Sequence, residues 1–331
     1  ALPLPSAGEA ILGHAELRGK MLMQQFNCAA CHHSTDAQLQ ATLSVNPSPN
    51  LGDIGARVRP EWLRSWLENP SAVNPRASMP RVFHGGEDDR EEIEDLTSFL
   101  VSLGGPVPAA PSPLDPDLAS TGMVTYHSVG CVACHGPLKL LENLPGLRPT
   151  IAKPFRSYHG FSRIADKTTA EELAKFLYDP LTHWPGGRMP SMKLSELEAE
   201  GLAHYLLQVD ARKNPPVEFQ AYELDSLRVA RGRSLFASKG CINCHDLGAN
   251  REAIASTVTA PAIEALTSDT WDRGCLSEDA HASTPRFSLS DGQRASIISF
   301  LQGVPLLRCH DTPIDELAVT MARLDCLACH Q

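Results

Sequence analysis

Cys28-Ala29-Ala30-Cys31-His32 is a C-x-x-C-H sequence, and the chain contains this pattern four times. The other three copies occupy residues 131–135, 241–245 and 326–330. In each copy the two cysteines stand three positions apart, so on one turn of helix both side chains point the same way. The copies are separated by 103, 110 and 85 residues, which is the spacing of repeated domains and not of a short solenoid repeat.

The repeated pattern predicts covalently bound haem. C-x-x-C-H is the attachment sequence for c-type haem, in which the two thiols take up the two vinyl groups and the histidine becomes the proximal ligand of the iron. A single copy would also suit half of a zinc site or a redox dithiol, whereas four copies in similar surroundings favour four haems. The predicted attachment residues are Cys28, Cys31, Cys131, Cys134, Cys241, Cys244, Cys326 and Cys329. The predicted proximal ligands are His32, His135, His245 and His330.

Composition restricts the partners and the compartment. The 331 residues carry a formal net charge of −10, so nucleic acid, which requires a basic face, is not an expected partner, and a basic redox protein fits better. No apolar run approaches the roughly 20 residues that cross a membrane. Haem is attached covalently outside the cytoplasm, so we expect a periplasmic or extracellular protein. The chain shown has no signal peptide, and we expect that an export signal has been removed or replaced.

Two cysteines remain outside the four motifs. They are Cys275 and Cys309, since the motifs account for eight of the ten cysteines in the chain. In an oxidising compartment two spare cysteines suggest a disulfide bond. The sequence does not show whether their Cα atoms come within the ~7 Å that such a bond requires.

The sequence before each motif is also repeated. Nine residues before the first cysteine a glycine occurs in three copies, at Gly19, Gly122 and Gly232. Five residues before it a bulky residue occurs in all four copies, at Met23, Tyr126, Phe236 and Met321. Positions four apart lie on one face of a helix, and a glycine there allows a second helix to approach closely. A leading helix before each motif is therefore predicted.

Helical patterns and proline-rich stretches divide the chain into units. The predicted domains are 1–105, 117–212 and 213–305, with a Pro-rich linker at 106–116 and a partial fourth haem-binding segment at 306–331. Closing helices are predicted at 88–103, 195–207 and 291–301. The fold class is therefore mostly α, with three tandem domains, the start of a fourth, and cores centred on haem. The fourth unit as given has neither a loop nor a closing helix after its motif.

A helix with Gly-x3-aromatic, then C-x-x-C-H, then Met-Pro before a closing helix resembles the class I cytochrome c family. The resemblance covers about residues 14–104, 116–210 and 222–303 and is weaker in the third unit. It implies that the leading and closing helices of each unit cross at the glycine, with Phe99, Tyr205 and Phe300 packing there. The runs 182–190 and 231–236 are similar to those of large multidomain cytochromes of the planctomycete type, in which a further haem domain follows.

The resemblance also implies distal ligands for two haems. Met79 and Met189, each followed by proline, correspond to the distal ligands of the first and second haems, and Met192 is a local competitor of Met189. Thioether ligation raises the reduction potential and leaves no vacant position on the iron. In the third unit Thr284-Pro285 stands where Met-Pro is expected. Candidate distal ligands there are His281, His310 and Cys275, and an open iron is the alternative.

We therefore expect a tetrahaem c-type cytochrome that carries single electrons between redox partner proteins along a chain of haems. In this reading no residue acts as acid, base or nucleophile. One alternative is an enzyme whose third or fourth haem has an open coordination position and turns over a small molecule. Another is the electron-transfer module of a larger oxidoreductase, in which a further domain or a neighbouring subunit covers the fourth haem.

Overall fold

The chain is described by a computed structural model that covers residues 15–43, 46–110, 113–138, 160–161, 163–214, 217–249, 251–266, 268–271, 274–277, 284–307, 313–324 and 326. Five residues that the sequence analysis singled out lie outside this described part, namely His281, Cys309, His310, Cys329 and His330.

The described residues form helices and no strand, as the sequence predicted. The first unit contains α1 (Ala15–Gln25), α2 (Ala37–Thr42), α3 (Ile54–Arg57), α4 (Pro60–Glu68), α5 (Pro70–Val73) and α6 (Asp89–Ser102). The second contains α7 (Pro116–Ser128), α8 (Cys131–His135), α9 (Ile164–Lys167), α10 (Ala170–Tyr178), α11 (Pro180–His183) and α12 (Glu196–Lys213). The rest contains α13 (Ser226–Ser238), α14 (Ser268–Trp271), α15 (Asp291–Leu307) and α16 (Pro313–Leu324). Short 3₁₀ turns occur at Cys28–Ala30, Cys241–Asn243 and Ile263–Ala265.

Local sequence sets where these helices begin. The Asp115 and Asp225 carboxylates accept backbone N–H bonds at the starts of α7 and α13. A reciprocal capping box joins Ser195 and Glu198 at the start of α12. None of the helices in the described ranges is long and apolar enough to span a membrane.

The second unit closes on itself. Helices α7 and α12 cross where Gly122 meets Gly201, so closely that a Cβ atom added at Gly122 would lie 1.9 Å from the Gly201 carbonyl oxygen. The Tyr126 and Tyr205 rings pack beside this crossing with their centroids 5.8 Å apart. The predicted crossing of a unit's own leading and closing helices therefore holds here.

The first and third units exchange their leading helices. Helix α1 crosses α15, and a Cβ atom at Gly19 would lie 2.0 Å from the Ser296 carbonyl oxygen and 2.6 Å from Phe300 Cβ. Helix α13 crosses α6, and a Cβ atom at Gly232 would lie 2.0 Å from the Asp95 carbonyl oxygen. The prediction that each unit's own helices cross is therefore wrong for these two units. The domain boundaries along the chain stay a prediction.

This exchange produces two mixed cores. One core joins α1 to the third unit, with Met21, Phe26, Phe300 and Leu301 buried in it. The other joins α13 to the first unit, with Phe83, Leu96, Phe99 and Phe236 buried. Because both leading helices offer the same glycine and bulky-residue pattern, either one fits the groove of either closing helix.

Charged side chains distinguish the two crossings. The buried Asp95 carboxylate of α6 accepts hydrogen bonds from Arg231 Nε at 2.5 Å and Nη2 at 2.7 Å, and from Arg228 Nη1 at 3.1 Å. The hydrogen bond from Arg231 holds the pKa of Asp95 below its ordinary value. A third ion pair joins Lys239, just after α13, to Glu92 at 2.6 Å. In the other crossing Ser296 takes the place of Asp95, so the acidic α6 is complementary to the basic α13.

Backbone hydrogen bonds attach the second unit to the first. Arg59 N donates to Lys167 O at 2.8 Å, and Asn50 N donates to His183 O at 2.9 Å. Arg59 is itself buried, and its guanidinium also binds the carbonyl oxygens of Ala165 and Pro108. The second unit thus contacts the first directly, as the first contacts the third.

We predict that Gly232→Ala destabilises the folded protein by roughly 1–3 kcal/mol, because its Cβ atom would overlap backbone atoms of α6 that have little room to move. Gly292→Ala in α15 is the matched control, since no atom lies within 4 Å of its added Cβ. There alanine should stabilise the helix by about 0.5–1 kcal/mol. Denaturant unfolding measures the change in unfolding free energy for each variant. Equal changes for the two substitutions would contradict the close crossing at Gly232.

The exchanged pairing itself can be tested with a double-mutant cycle. Arg18 occupies in α1 the position that Arg231 occupies in α13, one residue before the crossing glycine. We expect Arg231→Gln and Asp95→Asn to be strongly non-additive in unfolding midpoint, because they remove the two ends of one ion pair. Arg18→Gln and Asp95→Asn should be additive. Coupling of Asp95 to Arg18 instead would show that each unit's own helices cross.

Candidate functional site

Each described motif begins immediately after a residue with left-handed backbone. These residues are Asn27 (φ 54°), Gly130 (φ 101°) and Gly240 (φ 74°), and the positive φ turns the chain sharply between the leading helix and the motif. A single helical turn follows in each case, closed in the first motif by His32 N donating to Cys28 O at 2.9 Å. Both cysteines and the histidine are therefore presented on one compact turn.

The histidines of the first and third motifs are oriented by proline carbonyls. His32 Nδ1 lies 2.8 Å from Pro261 O, and His245 Nδ1 lies 3.0 Å from Pro49 O. An imidazole that donates from Nδ1 to a carbonyl keeps Nε2 as a lone pair for a metal. Burial also lowers the pKa of His245, which keeps it in the neutral form that binds iron. The donor set thus fits the histidine-ligated haem that the motifs predict.

The cysteines of the third motif do not suit a redox dithiol. Burial raises the pKa of the Cys241 thiol to about 12 and that of Cys244 to about 11. Reactive C-x-x-C pairs have a lowered thiol pKa, because the thiolate is the nucleophile. Burial likewise raises the pKa of Cys28 to about 12. The raised thiol pKa values therefore do not favour the reactive dithiol that a single C-x-x-C pair could indicate.

The second motif lies against its own unit's core. The His135 ring stacks on Phe161 with centroids 4.5 Å apart, and Cys131 packs against the buried cluster. Met189 and Met192 both pack against the same cluster, so the structure brings both candidate distal residues to this haem site. The choice of Met189 rests on the proline that follows it and stays a prediction.

Met79 lies in a different core from the first motif. It packs against the same core as Cys241 and Ile242 of the third motif, and its Sδ atom accepts a hydrogen bond from Trp66 Nε1 at 2.9 Å. Cys28 belongs to the other mixed core. The resemblance to class I cytochrome c assigned Met79 to the haem at His32. In the structure the exchange of leading helices places Met79 and Cys28 against different cores.

The first motif faces the third unit instead. The Phe26 and Phe287 rings meet edge to face at 5.6 Å, and Leu276 and Leu289 pack against the core that holds Cys28. The Cys275 thiol lies close enough to Cys28 to raise its pKa, after burial as the larger cause. The predicted Cys275–Cys309 disulfide and His281 lie partly or wholly outside the described residues.

Of the fourth motif only Cys326 is described. The helix before it, α16, buries Val319 and Ala322 in the core that α1 shares with the third unit. The fourth leading helix therefore packs on the first, while the haem-binding roles of Cys329 and His330 stay predictions.

Three contributors to these sites were not predicted from the sequence. The proline carbonyls at Pro49 and Pro261 were not predicted, although Pro-x-Leu and Pro-x-Ile follow the first and third histidines at nearly the same interval. Glu264 was also missed. Its Oε1 accepts hydrogen bonds from the Ser34 hydroxyl and from Thr35 N at 3.1 Å, in the loop after the first motif. Aligning the copies beyond the motif identifies the prolines, whereas the glutamate needs the tertiary structure.

Comparison with known families matches the first two units. The cytochrome c family matches residues 17–104 and 119–210, which together are more than half of the chain. The chain belongs to the cytochrome c family. No curated protein and no solved structure matches it. Membership implies covalently bound c-type haem, electron transfer and redox partners, and the fold is helical as predicted. Haem would supply the one-electron chemistry, and the motif residues described above would hold and orient it.

The Glu264 contact generates a pH-dependent prediction. Its hydrogen bonds, the Ser34 hydroxyl foremost, lower the pKa of this carboxyl from 4.5 to about 2. Because the folded value lies below the unfolded one, the carboxylate stabilises the fold fully above about pH 4.5 and this contribution is lost as the pH falls toward about 2. Glu264→Gln should therefore unfold at lower denaturant than the wild type at pH 7, and the difference should vanish over that window.

Glu252→Gln is the control, since it removes an exposed carboxylate of the same unit whose partner is Arg233. We expect a smaller effect from it at neutral pH. A Glu264→Gln effect that stays constant down to pH 2 would show that the hydrogen-bonded carboxylate does not supply the stability.

Proposed function

We propose that the chain is an extracytoplasmic tetrahaem c-type cytochrome that passes single electrons between redox partner proteins along a chain of haems. The proposal extends the electron transfer shared by the family to four haems, one for each C-x-x-C-H motif. The observation that carries it is the direct contact between the first and third motifs.

That contact joins the attachment turns themselves. Asn243 Nδ2 of the third motif donates a hydrogen bond to Cys31 Sγ of the first at 3.2 Å. Cys31 also raises the pKa of Cys244, and Cys244 raises that of Cys28, which places the thiols of the two motifs near one another. Two haems attached at these turns would have neighbouring edges, as electron exchange between them requires.

The second unit extends the proposed chain. Its loop at His183 and Gly186 makes backbone hydrogen bonds to Asn50 and Pro47, in the segment that also carries Pro49, the partner of His245. The second haem site is therefore docked beside the segment that supports the third. The net charge of −10 favours a redox partner that presents a basic surface.

A second candidate function rests on Thr284. It stands at the position that methionine takes in the first two units. A hydroxyl is a weaker ligand for ferrous haem iron than the soft thioether of methionine. One haem with an open coordination position could bind a small molecule, and the chain would then act as an enzyme. Alternatively, the chain could be the electron-transfer module of a larger oxidoreductase, with a further domain or a neighbouring subunit covering the fourth haem.

Haem stoichiometry and carbon monoxide binding separate these functions. For protein matured in the periplasm, we expect an intact mass that includes four haems, and three for the Cys326→Ser, Cys329→Ser variant. The reduced electron carrier should give no carbon monoxide difference spectrum. A response equivalent to one haem would support the enzyme, and fewer than four haems in the wild type would refute the proposal.

A further inference from the structure

The loops at Met79 and Thr284 are related by a local two-fold arrangement. Arg81 N donates to Arg286 O and Arg286 N donates to Arg81 O, both at 2.8 Å, in an antiparallel bridge. The bridge joins Met79-Pro80-Arg81 to Thr284-Pro285-Arg286, which are corresponding positions of the first and third units. A contact in which residue i meets j and j meets i is self-complementary, as in a two-fold dimer.

The contacts of the histidines follow the same symmetry. His245 is held by Pro49 O of the first unit, and His32 is held by Pro261 O of the third. The residue after each histidine is held in the same way, because Leu51 N donates to Asp246 O at 2.8 Å and Ile263 N donates to His33 O at 3.1 Å. Each motif is thus built into the body of the other unit.

The methionine loop completes the third motif's surroundings. Met79 shares a core with Cys241 and Ile242, and Phe83, four residues after it, is fully buried there. Lys239, two residues before Cys241, places its ammonium 5.0 Å from the centre of the Phe83 ring. The 79–83 segment therefore packs in the same core as the third motif, and its Phe83 end contacts the lysine just before that motif.

The chemistry of Met79 suits iron ligation in this core. It is partly buried, and the hydrogen bond from Trp66 Nε1 uses one lone pair of its sulfur. A thioether sulfur has a second lone pair, which is a soft donor for haem iron. Trp66 is itself held by stacking on Trp62, with centroids 4.9 Å apart, so the sulfur is positioned by a rigid pair of rings.

We propose that Met79 is the distal ligand of the haem attached to Cys241 and Cys244, with His245 as the proximal ligand. The haem attached to Cys28 and Cys31 is then covered by the third unit, in which Thr284 stands at the position that corresponds to Met79. This assignment rests on the proposed presence of haem at both motifs. It makes the third haem the one of higher potential, and it moves the site without methionine from the third haem to the first.

The experiment marks one haem at a time and then changes Met79. Cys28→Ser and Cys241→Ser each leave one vinyl group free on a single haem, which shifts its visible α-band to longer wavelength because the conjugation is larger. The second thioether and the histidine remain in both. Met79→His is then introduced into each background, and the shifted band is followed in a redox titration of the whole protein.

We expect Met79→His to lower the midpoint potential of the shifted band in the Cys241→Ser background by at least about 59 mV, which for one electron is a tenfold change in the reduction equilibrium. The shifted band of the Cys28→Ser background should move far less. Met189→His is the matched control in the second unit's core, and it should move neither band.

Other outcomes overturn the assignment in distinguishable ways. A shift confined to the Cys28→Ser background would return Met79 to the first haem, and no shift in either would remove it from both. Absence of a shifted band in Cys241→Ser, together with a wild-type intact mass one haem short of four, would mean that the third motif carries no haem, so the proposed function would fail together with the assignment.

A measurement without attachment variants guards against poor maturation. In the reduced protein a ligating methionine has a methyl proton signal at strongly upfield shift, and Met79→Leu identifies the signal of Met79. Nuclear Overhauser contacts from that methyl group to the haem joined to Cys241 are expected. Contacts to the haem joined to Cys28 would refute the proposal.

Discussion

The whole arrangement depends on helices that cross with their backbones in contact. At Gly19 and Gly232 the space for a side chain is filled by a carbonyl of the opposing helix, so the leading helix is fixed in depth and in rotation. The attachment turn follows within ten residues, and its position is therefore set by the crossing. Whichever closing helix receives a leading helix also determines which proline, which loop and which core surround the motif.

Exchange of leading helices within one chain resembles domain swapping, in which equivalent elements trade places at low cost. The two crossings share a glycine in the leading helix and a phenylalanine in the closing helix, although Met23 of α1 stands where α13 has Phe236. No second molecule is required, because the linking segments keep both halves at high effective concentration. What remains to distinguish the pairings is the set of contacts that are not equivalent, such as Arg231 with Asp95 and Glu264 with the loop at Ser34.

The exchange has a direct consequence for electron transfer. It brings two attachment turns together at Cys31 and Asn243, while the two loops that follow are held back to back at Arg81 and Arg286. The two loops are related by symmetry in their backbones but differ in their side chains, because one loop carries methionine and the other threonine. Two neighbouring haems with unlike distal surroundings would differ in potential, which gives an electron a preferred direction.

Much of this protein was determined by local sequence. The four motifs, the helical class, the crossing glycines and the methionine-proline pairs are each recognisable within about twenty residues, because haem attachment and helix formation depend on short spacings. The partners of Met79, His32 and His245 were not predictable in this way. Leading helices with the same pattern fit either closing helix, and the choice between them is made by ion pairs and hydrogen bonds between residues more than a hundred positions apart. Only the tertiary structure brings those residues together, and so it alone decides which unit surrounds each haem.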